Sequence, residues 1–379
     1  MRKICVIASS RATYGYKRKI IQILKKDKQV RLSVIVTGMH LERKFGYSLN
    51  DLIKDKVPIT SKIKMKIKDS NELNFTKSLS LLMNKISSEL NRILPDLVLV
   101  TGDRSEMFMA CIASVFQNIP VAHIQAGDVS GHIDGNVRHA ITKLSHIHLA
   151  SCLDSKNRVI KLGEEKKRIF NVGAPQLDAI RKIKKNKNFI YNYLNIKNRL
   201  PIILVIQHPV LIESHLSGNE ILITLDALNE YKFNTIILYP NFDTGSKKII
   251  EKINMYKKNK KFFIFKNLER IIFLNILANV DLLIGNSSAG ILEAPSFKIP
   301  VINIGNRQRG RMQANNIINC KSSKKEIMKS INFSQNNKSF KNSLKKCKNP
   351  YGDGKSSERI VKILKKINLS KILDKKITY

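Results

Sequence analysis

The chain has 379 residues, 43% of them hydrophobic and 26% charged, and its 68 Lys+Arg against 29 Asp+Glu leave a formal net charge of +39. That length predicts two to three domains, and the apolar content excludes global disorder. The five cysteines (Cys5, Cys111, Cys152, Cys320, Cys347) form no C-x-x-C pair, which excludes a disulfide framework or a structural zinc site and points to a reducing compartment.

In chain order, Ile4–Ala8 is a short apolar run that stops at Ser9-Ser10-Arg11. It is too short for the core of a secretory leader and has the length of a buried strand. Similar β-branched runs follow at Arg31–Thr37, Leu97–Thr101, Val121–Ile124, Ile147–Ser151 and Ile169–Val172, with helix-length amphipathic segments between them. The second half repeats the pattern at Ile202–Gln207, Thr235–Tyr239, Phe262–Phe265, Asp281–Ile284 and Val301–Ile304. Near-continuous apolar strands separated by helices imply parallel sheets buried on both faces. The expected fold is therefore α/β, with two Rossmann-like doubly wound parallel-sheet domains facing a cleft, residues 1–178 and 179–354. Their join falls in the basic, weakly periodic Ile180–Asn198, and an amphipathic helix from Ser357 follows the turn cluster Asn349–Gly354. The most apolar stretch, Ile271–Gly285, is broken by Asn275, Asn279 and Asp281, so no run reaches the roughly 18 residues of a membrane span. A soluble, cytoplasmic protein with no membrane partner is expected.

Charge is unevenly placed. Lys321–Tyr379 carries 17 Lys/Arg against 4 Asp/Glu (+13), whereas Asn91–Ala150 carries 4 against 5 (−1). A footprint for nucleic acid is one reading of +39. With no Trp, no aromatic-flanked basic motif and no repeat, a solvated lysine surface accounts for it better, and no nucleic-acid partner is expected.

The chemistry-bearing motifs fall just after strands. Ser9-Ser10-Arg11 replaces the G-x-G-x-x-G expected of a dinucleotide site, which weighs against NAD or FAD, while an Arg beside two Ser at a helix start suits phosphate. Gly102-Asp103-Arg104 puts an acid in a Gly-opened turn. Three of the five acids in the non-basic block, Asp103, Asp128 and Asp134, stand out together with His123 and His139. His146 and His148 sit on an apolar strand pattern and read as core or strand-end residues. In the second half, His208-Pro209 ends a strand, where an imidazole suits proton transfer. Asn241-Phe242-Asp243 forms part of a polar loop, and Gly285-Asn286-Ser287-Ser288 opens a helix with Glu293 about two turns on. Small hydroxyl residues there suit a phosphate, and the Glu suits two vicinal ribose hydroxyls.

Taken together, these segments resemble the hydrolysing UDP-N-acetylglucosamine 2-epimerases of the sialic- and legionaminic-acid type. The resemblance runs over nearly the whole chain: Ser10-Arg11-Ala12-x-Tyr14-Gly15, Thr37-Gly38-Met39-His40, Gly102-Asp103-Arg104, Ile133-Asp134 with Arg138-His139, and His208-Pro209-Val210. It continues through Pro240-Asn241-x-Asp243, Gly285-Asn286-Ser287-Ser288, Asn303-Ile304-Gly305-x-Arg307 and Tyr351-Gly352-Asp353-Gly354. The resemblance implies a GT-B architecture with a C-terminal helix, residues 355–379, returning to the first domain. It implies no cofactor, no metal and a homodimer or homotetramer.

The implied reaction is elimination of the nucleotide from a UDP-sugar to a 2-acetamidoglycal, then hydration to the free 2-epimer and UDP. By position, Asp103, Asp134 and His208 fall in the proton-transfer set, Arg11, Ser287 and Ser288 at the phosphates, and Glu293 at the ribose. Arg104 and Phe273 fall at the uracil, and His40, Asn241, Asp243 and Arg307 around them. Two positions depart from the family: a frequent Glu is Gln125, which cannot act as a base, and an acid beside Asp134 is Gly135. Asp128 is then the carboxylate placed to take over part of the role. The substrate stays open between UDP-N-acetylglucosamine and a 2,4-diacetamido-trideoxy sugar. A non-hydrolysing epimerase and a GT-B glycosyltransferase are the competing enzyme classes.

Overall fold

The computed structural model describes residues 1–42, 47–65, 72–129, 132–210, 213–240 and 244–378, without the side chains of Arg11, Ala12, Glu72, His132, Ile133 and Asp134. The chain divides into two compact units, Met1–Asp178 with Tyr351–Tyr379, and Ala179–Pro350.

The first unit runs β1 (Arg2–Ala8), α1 (Arg11–Lys26), β2 (Val30–Thr37), α2 (Leu49–Lys54), β3 (Ile59–Ile63), α3 (Glu72–Ile93), β4 (Leu97–Thr101) and α4 (Ser105–Val115). It continues through β5 (Val121–Ile124), α5 (His132–Leu144), β6 (Ile147–Ala150), α6 (Leu153–Lys161) and β7 (Ile169–Asn171). Its strands pair in parallel in the order β3-β2-β1-β4-β5-β6-β7. Alternation along β1 explains burial on both faces: Ile4, Val6 and Ala8 join one apolar cluster, and Cys5 and Ile7 join another on the opposite face.

The second unit runs α7 (Lys187–Tyr193), β8 (Ile202–Ile206), α8 (Ser217–Asn229), β9 (Asn234–Leu238), α9 (Ser246–Met255), β10 (Phe262–Phe265), α10 (Arg270–Asn279) and β11 (Leu282–Gly285). It ends with α11 (Ser288–Leu292), α12 (Ala294–Phe297), β12 (Val301–Ile304), β13 (Ile317–Cys320), α13 (Lys324–Asn336) and α14 (Lys338–Lys345). Its sheet is again parallel, in the order β10-β9-β8-β11-β12-β13. The expected α/β class, with two doubly wound parallel sheets, is borne out.

The chain re-enters the first unit at Tyr351, ahead of the expected boundary after residue 354. The Ala174 N–H donates to the Tyr351 carbonyl at 2.7 Å, and Tyr351 is buried. The final helix, α15 (Ser356–Lys366), buries Ile360, Val361 and Leu364 in the cluster that includes β1 and α1 residues. Asp178 fixes its start, one carboxylate oxygen accepting from the Ser356 N–H at 2.9 Å and the other from the Ser357 N–H at 2.8 Å. An acid there satisfies two of the orphan donors of a helix N-terminus.

Both sheets reverse their winding once, between β1 and β4 in the first and between β8 and β11 in the second. The crevice beyond the strand carboxyl ends at such a switch point is where open α/β sheets bind ligands. At the second, Gly285 has φ +131°, and a Cβ there would lie 2.1 Å from the Ile206 carbonyl oxygen. Gly285→Ala is expected to destabilise the second unit by more than about 1 kcal/mol, read as a lowered urea midpoint. An unchanged midpoint would mean that β8 and β11 can part without cost.

Candidate active site

At the first switch point, Ser10 caps α1, its Oγ accepting from the Thr13 N–H at 3.4 Å. This places Arg11 at the start of α1. Beyond β4, Gly102 (φ +78°) makes the turn that the sequence predicted. His123, buried on β5, donates from Nε2 to the Gly102 carbonyl at 2.8 Å and so holds that turn. Asp103 follows, its carboxylate accepting a hydrogen bond from Arg138 of α5. The same buried Arg138 donates to the Gln125 carbonyl at 3.2 Å. Gln125 is itself buried and left-handed (φ +64°), which fixes the residue where an acid was missed.

Arg104 donates to Met39 Sδ at 3.3 Å and lies 3.4 Å from the Glu106 carboxylate. The neighbouring His40 is fully buried: its N–H donates to the Ser9 carbonyl at 3.2 Å, and its Nδ1 lies 2.8 Å from Ser48 Oγ. Burial, and then the charge of Lys17, push the His40 imidazole down to about 4, so it is neutral at working pH. Asp134 lies on α5 four residues ahead of Arg138; its side chain is outside the described residues.

Asp128, placed among the catalytic acids by sequence, accepts from Ser155 Oγ at 2.7 Å on one oxygen and from Ser151 Oγ at 2.8 Å on the other. Both oxygens are engaged at the corner between β6 and α6. His146 and His148 are buried, as their strand pattern predicted.

At the second switch point, Asn286 organises the site. Its Oδ1 accepts from the His208 N–H at 2.7 Å, and its Nδ2 donates to the His208 carbonyl at 2.8 Å. The Asn286 carbonyl in turn accepts from Arg307 Nη1 at 3.2 Å and from Gln308 Nε2 at 2.8 Å. His208 is thereby fixed beside Arg307. Burial first, and the Arg307 charge second, push its imidazole down to about 3, well below the range that its sequence position suggested. An anion placed against Arg307 would offset that charge and raise the imidazole again.

Ser287 is the N-cap of α11, its Oγ accepting from the Ala289 N–H at 3.3 Å, and Ser288 begins the helix. Glu293 is buried and paired with Arg270, whose guanidinium lies 5.6 Å from the Phe273 ring centre. Asn241 and Asp243 lie outside the described residues.

Sequence reasoning gave no role to Arg138, Asn286, Lys17 or Glu106. Lys17 is the surprise: wholly buried, it donates from Nζ to the Ile7 carbonyl at 2.5 Å, and burial pushes it down to about 7, partly countered by Glu106. Among the described residues, no three His, Cys, Asp or Glu side chains are grouped to hold a metal, and no helix is long and apolar enough to cross a membrane.

A family model described as UDP-N-acetylglucosamine 2-epimerase matches residues 22–365. The chain belongs to the UDP-N-acetylglucosamine 2-epimerase family. Among curated relatives, the UDP-N,N'-diacetylbacillosamine 2-epimerase (hydrolyzing) of Legionella pneumophila is 37% identical over 377 residues, which cover 99% of each chain. The GDP/UDP-N,N'-diacetylbacillosamine 2-epimerase (hydrolyzing) of Campylobacter jejuni is 34% identical over 84% of each. The expected enzyme class, a hydrolysing 2-epimerase, is borne out. Among solved structures, a Neisseria meningitidis UDP-GlcNAc 2-epimerase bound to UDP-GlcNAc matches with a TM-score of 0.82 at 21% identity, over 96% of this chain and 100% of that one. At that identity the likeness shows the epimerase fold.

Proposed function

We propose that this epimerase hydrolyses a UDP-2,4-diacetamido-2,4,6-trideoxyhexose of the N,N'-diacetylbacillosamine type to the free 2-epimeric sugar and UDP. The carrying observation is that each sheet presents a fixed polar set at its switch point, Asp103 with Arg138 in one and His208 with Asn286 and Arg307 in the other. The names of the two relatives described above support the diacetamido sugar over UDP-N-acetylglucosamine. Gln125, standing where relatives of the resembled family carry an acid, agrees with an altered sugar site.

In the elimination, a base takes the C2 proton while the C1–O bond breaks and its electron pair leaves with UDP, giving the glycal. Water then adds hydroxyl to C1 and a proton to C2 on the face that inverts that carbon. Asp103, Asp134 and His208 serve the proton transfers. Arg11, Arg307, Ser287 and Ser288 stabilise the phosphate charge that develops on the leaving group. Glu293 accepts from the ribose, Arg104 and Phe273 contact the base, and His40, Asn241 and Asp243 line the sugar. No nicotinamide or metal enters these steps. The described cysteines are all unpaired by disulfides, which fits action in the cytoplasm.

Incubation with UDP-diacetylbacillosamine and UDP-N-acetylglucosamine in deuterated water, followed by proton NMR, tests the assignment. The expected products are UDP and a free sugar deuterated at C2, formed faster from the diacetamido substrate without added NAD or metal. A 2-epimer still attached to UDP would overturn it.

A further inference from the structure

We propose that Arg270 is a positioning residue for nucleotide recognition, one guanidinium holding both the carboxylate that receives the ribose and the ring that receives the base. The inference rests on the reading of the second unit as the UDP-binding one.

Glu293 sits at the junction of α11 and α12, where its N–H donates to the Ala289 carbonyl at 3.0 Å. Its backbone is therefore fixed, and its side chain is 8% exposed. A carboxylate buried to that degree needs a cation, and Arg270 provides one through Nη2 to Oε1. Arg270 opens α10 and lies three residues before Phe273, a spacing that places two side chains on one helical face. Its guanidinium carbon stands 5.6 Å from the ring centre of Phe273, close enough for a cation–π contact.

One planar group thus spans the two residues that the family resemblance places at the ribose and at the base. The Arg270 side chain also remains 42% exposed, so it restrains Glu293 and Phe273 without sealing them from a ligand. A lysine in its place would keep the charge but lose the fork that reaches the carboxylate while lying against the ring.

Calorimetry with UDP and 2′-deoxy-UDP, on the wild type and on Arg270→Met, Arg270→Lys, Glu293→Gln and the Met/Gln double variant, tests this. Arg270→Met should weaken UDP about 10- to 100-fold, as expected for loss of a charged hydrogen bond. Its preference for UDP over 2′-deoxy-UDP should shrink, KM should rise, and kcat should stay within about twofold. Arg270→Lys should recover part of the loss, and the double variant should cost less than the two single losses multiplied, because they act on one contact. Thermal melts confirm that each variant is folded. If Glu293→Gln weakens UDP while Arg270→Met leaves it unchanged or tightens it, Arg270 is not the positioning group. If the wild type binds no UDP, or Glu293→Gln leaves UDP binding intact, the nucleotide assignment of the second unit fails first.

Discussion

Asp103→Asn should lower kcat by about 10²- to 10⁴-fold, the usual range for a lost acid–base group, while UDP affinity stays within about twofold. The geometry gives the reason for the split. Asp103 stands in a turn that Gly102 and His123 hold rigid, and its carboxylate faces a buried guanidinium, so its direction is set before substrate arrives. Asparagine keeps the shape but has no basic oxygen with which to take a proton. Because the same change removes one anion from the buried Arg138, some stability should be lost with it. A melt on the same sample separates that loss from catalysis. Asp134→Asn is expected in the same range, since it shares the proton-transfer assignment. Calorimetry with UDP beside steady-state turnover decides the matter: full turnover with UDP binding lost would mean that Asp103 belongs to the nucleotide rather than to the sugar.

The contrast between Asp103 and Asp128 shows how far the sequence could be read. Both follow strands, both are acids in the non-basic block, and nothing in their local sequence separates them. What separates them is the set of neighbours that folding supplies: Arg138, 35 residues away, for one, and Ser151 and Ser155, 23 and 27 residues away, for the other. The central strands were legible because burial on both faces demands continuous apolar runs. The edge strands β3 (ITSKI) and β13 (IINC) were missed because each is partly exposed and needs no such run. Strand-end punctuation made Gly102, His208 and Gly285 visible. Asn286 stood in a quoted motif but received no role because its partner His208 lies 78 residues away, and Lys17 received none because one buried lysine cannot be told from the rest of the 68 Lys+Arg by composition. Motifs locate the ends of strands; only packing says which side chains are held there.

The first unit should lose stability steeply as pH falls from about 6.5 towards 4, and should open before the second. It buries four histidines whose imidazoles are pushed down, chiefly by desolvation: His40 to about 4, His123 to about 3, His146 to about 4, and His148, whose fall is partly countered by its partner Glu164. In the unfolded chain each titrates near 6.5. Above that pH neither state holds the proton, and the groups contribute nothing to the pH dependence. Below it the unfolded chain binds protons that the folded unit refuses, so stability falls until the folded pKa is reached. Each such group contributes up to about 1.4 kcal/mol per pH unit, so the first unit, with four, has a steeper slope than the second, with one. The second unit draws its slope from His208, depressed to about 3 by burial and Arg307. Lys17 acts in the same direction over a higher window, weakening the first unit as pH falls from about 10.5 to about 7. Depressed carboxylates such as Glu164, at about 2, lose their contribution only below about 4.5 and so do not mask the histidine window. Hydrogen exchange read peptide by peptide at pH 7, 6 and 5 should show protection falling first in β1, β4, β5 and β6. His146 accepts the Val121 N–H through Nδ1 at 3.2 Å, and His146→Gln should remove about a quarter of the first unit's acid slope. Protection that holds level down to pH 5, or that fails first in β8 and β11, would show that these imidazoles accept protons without opening the sheet.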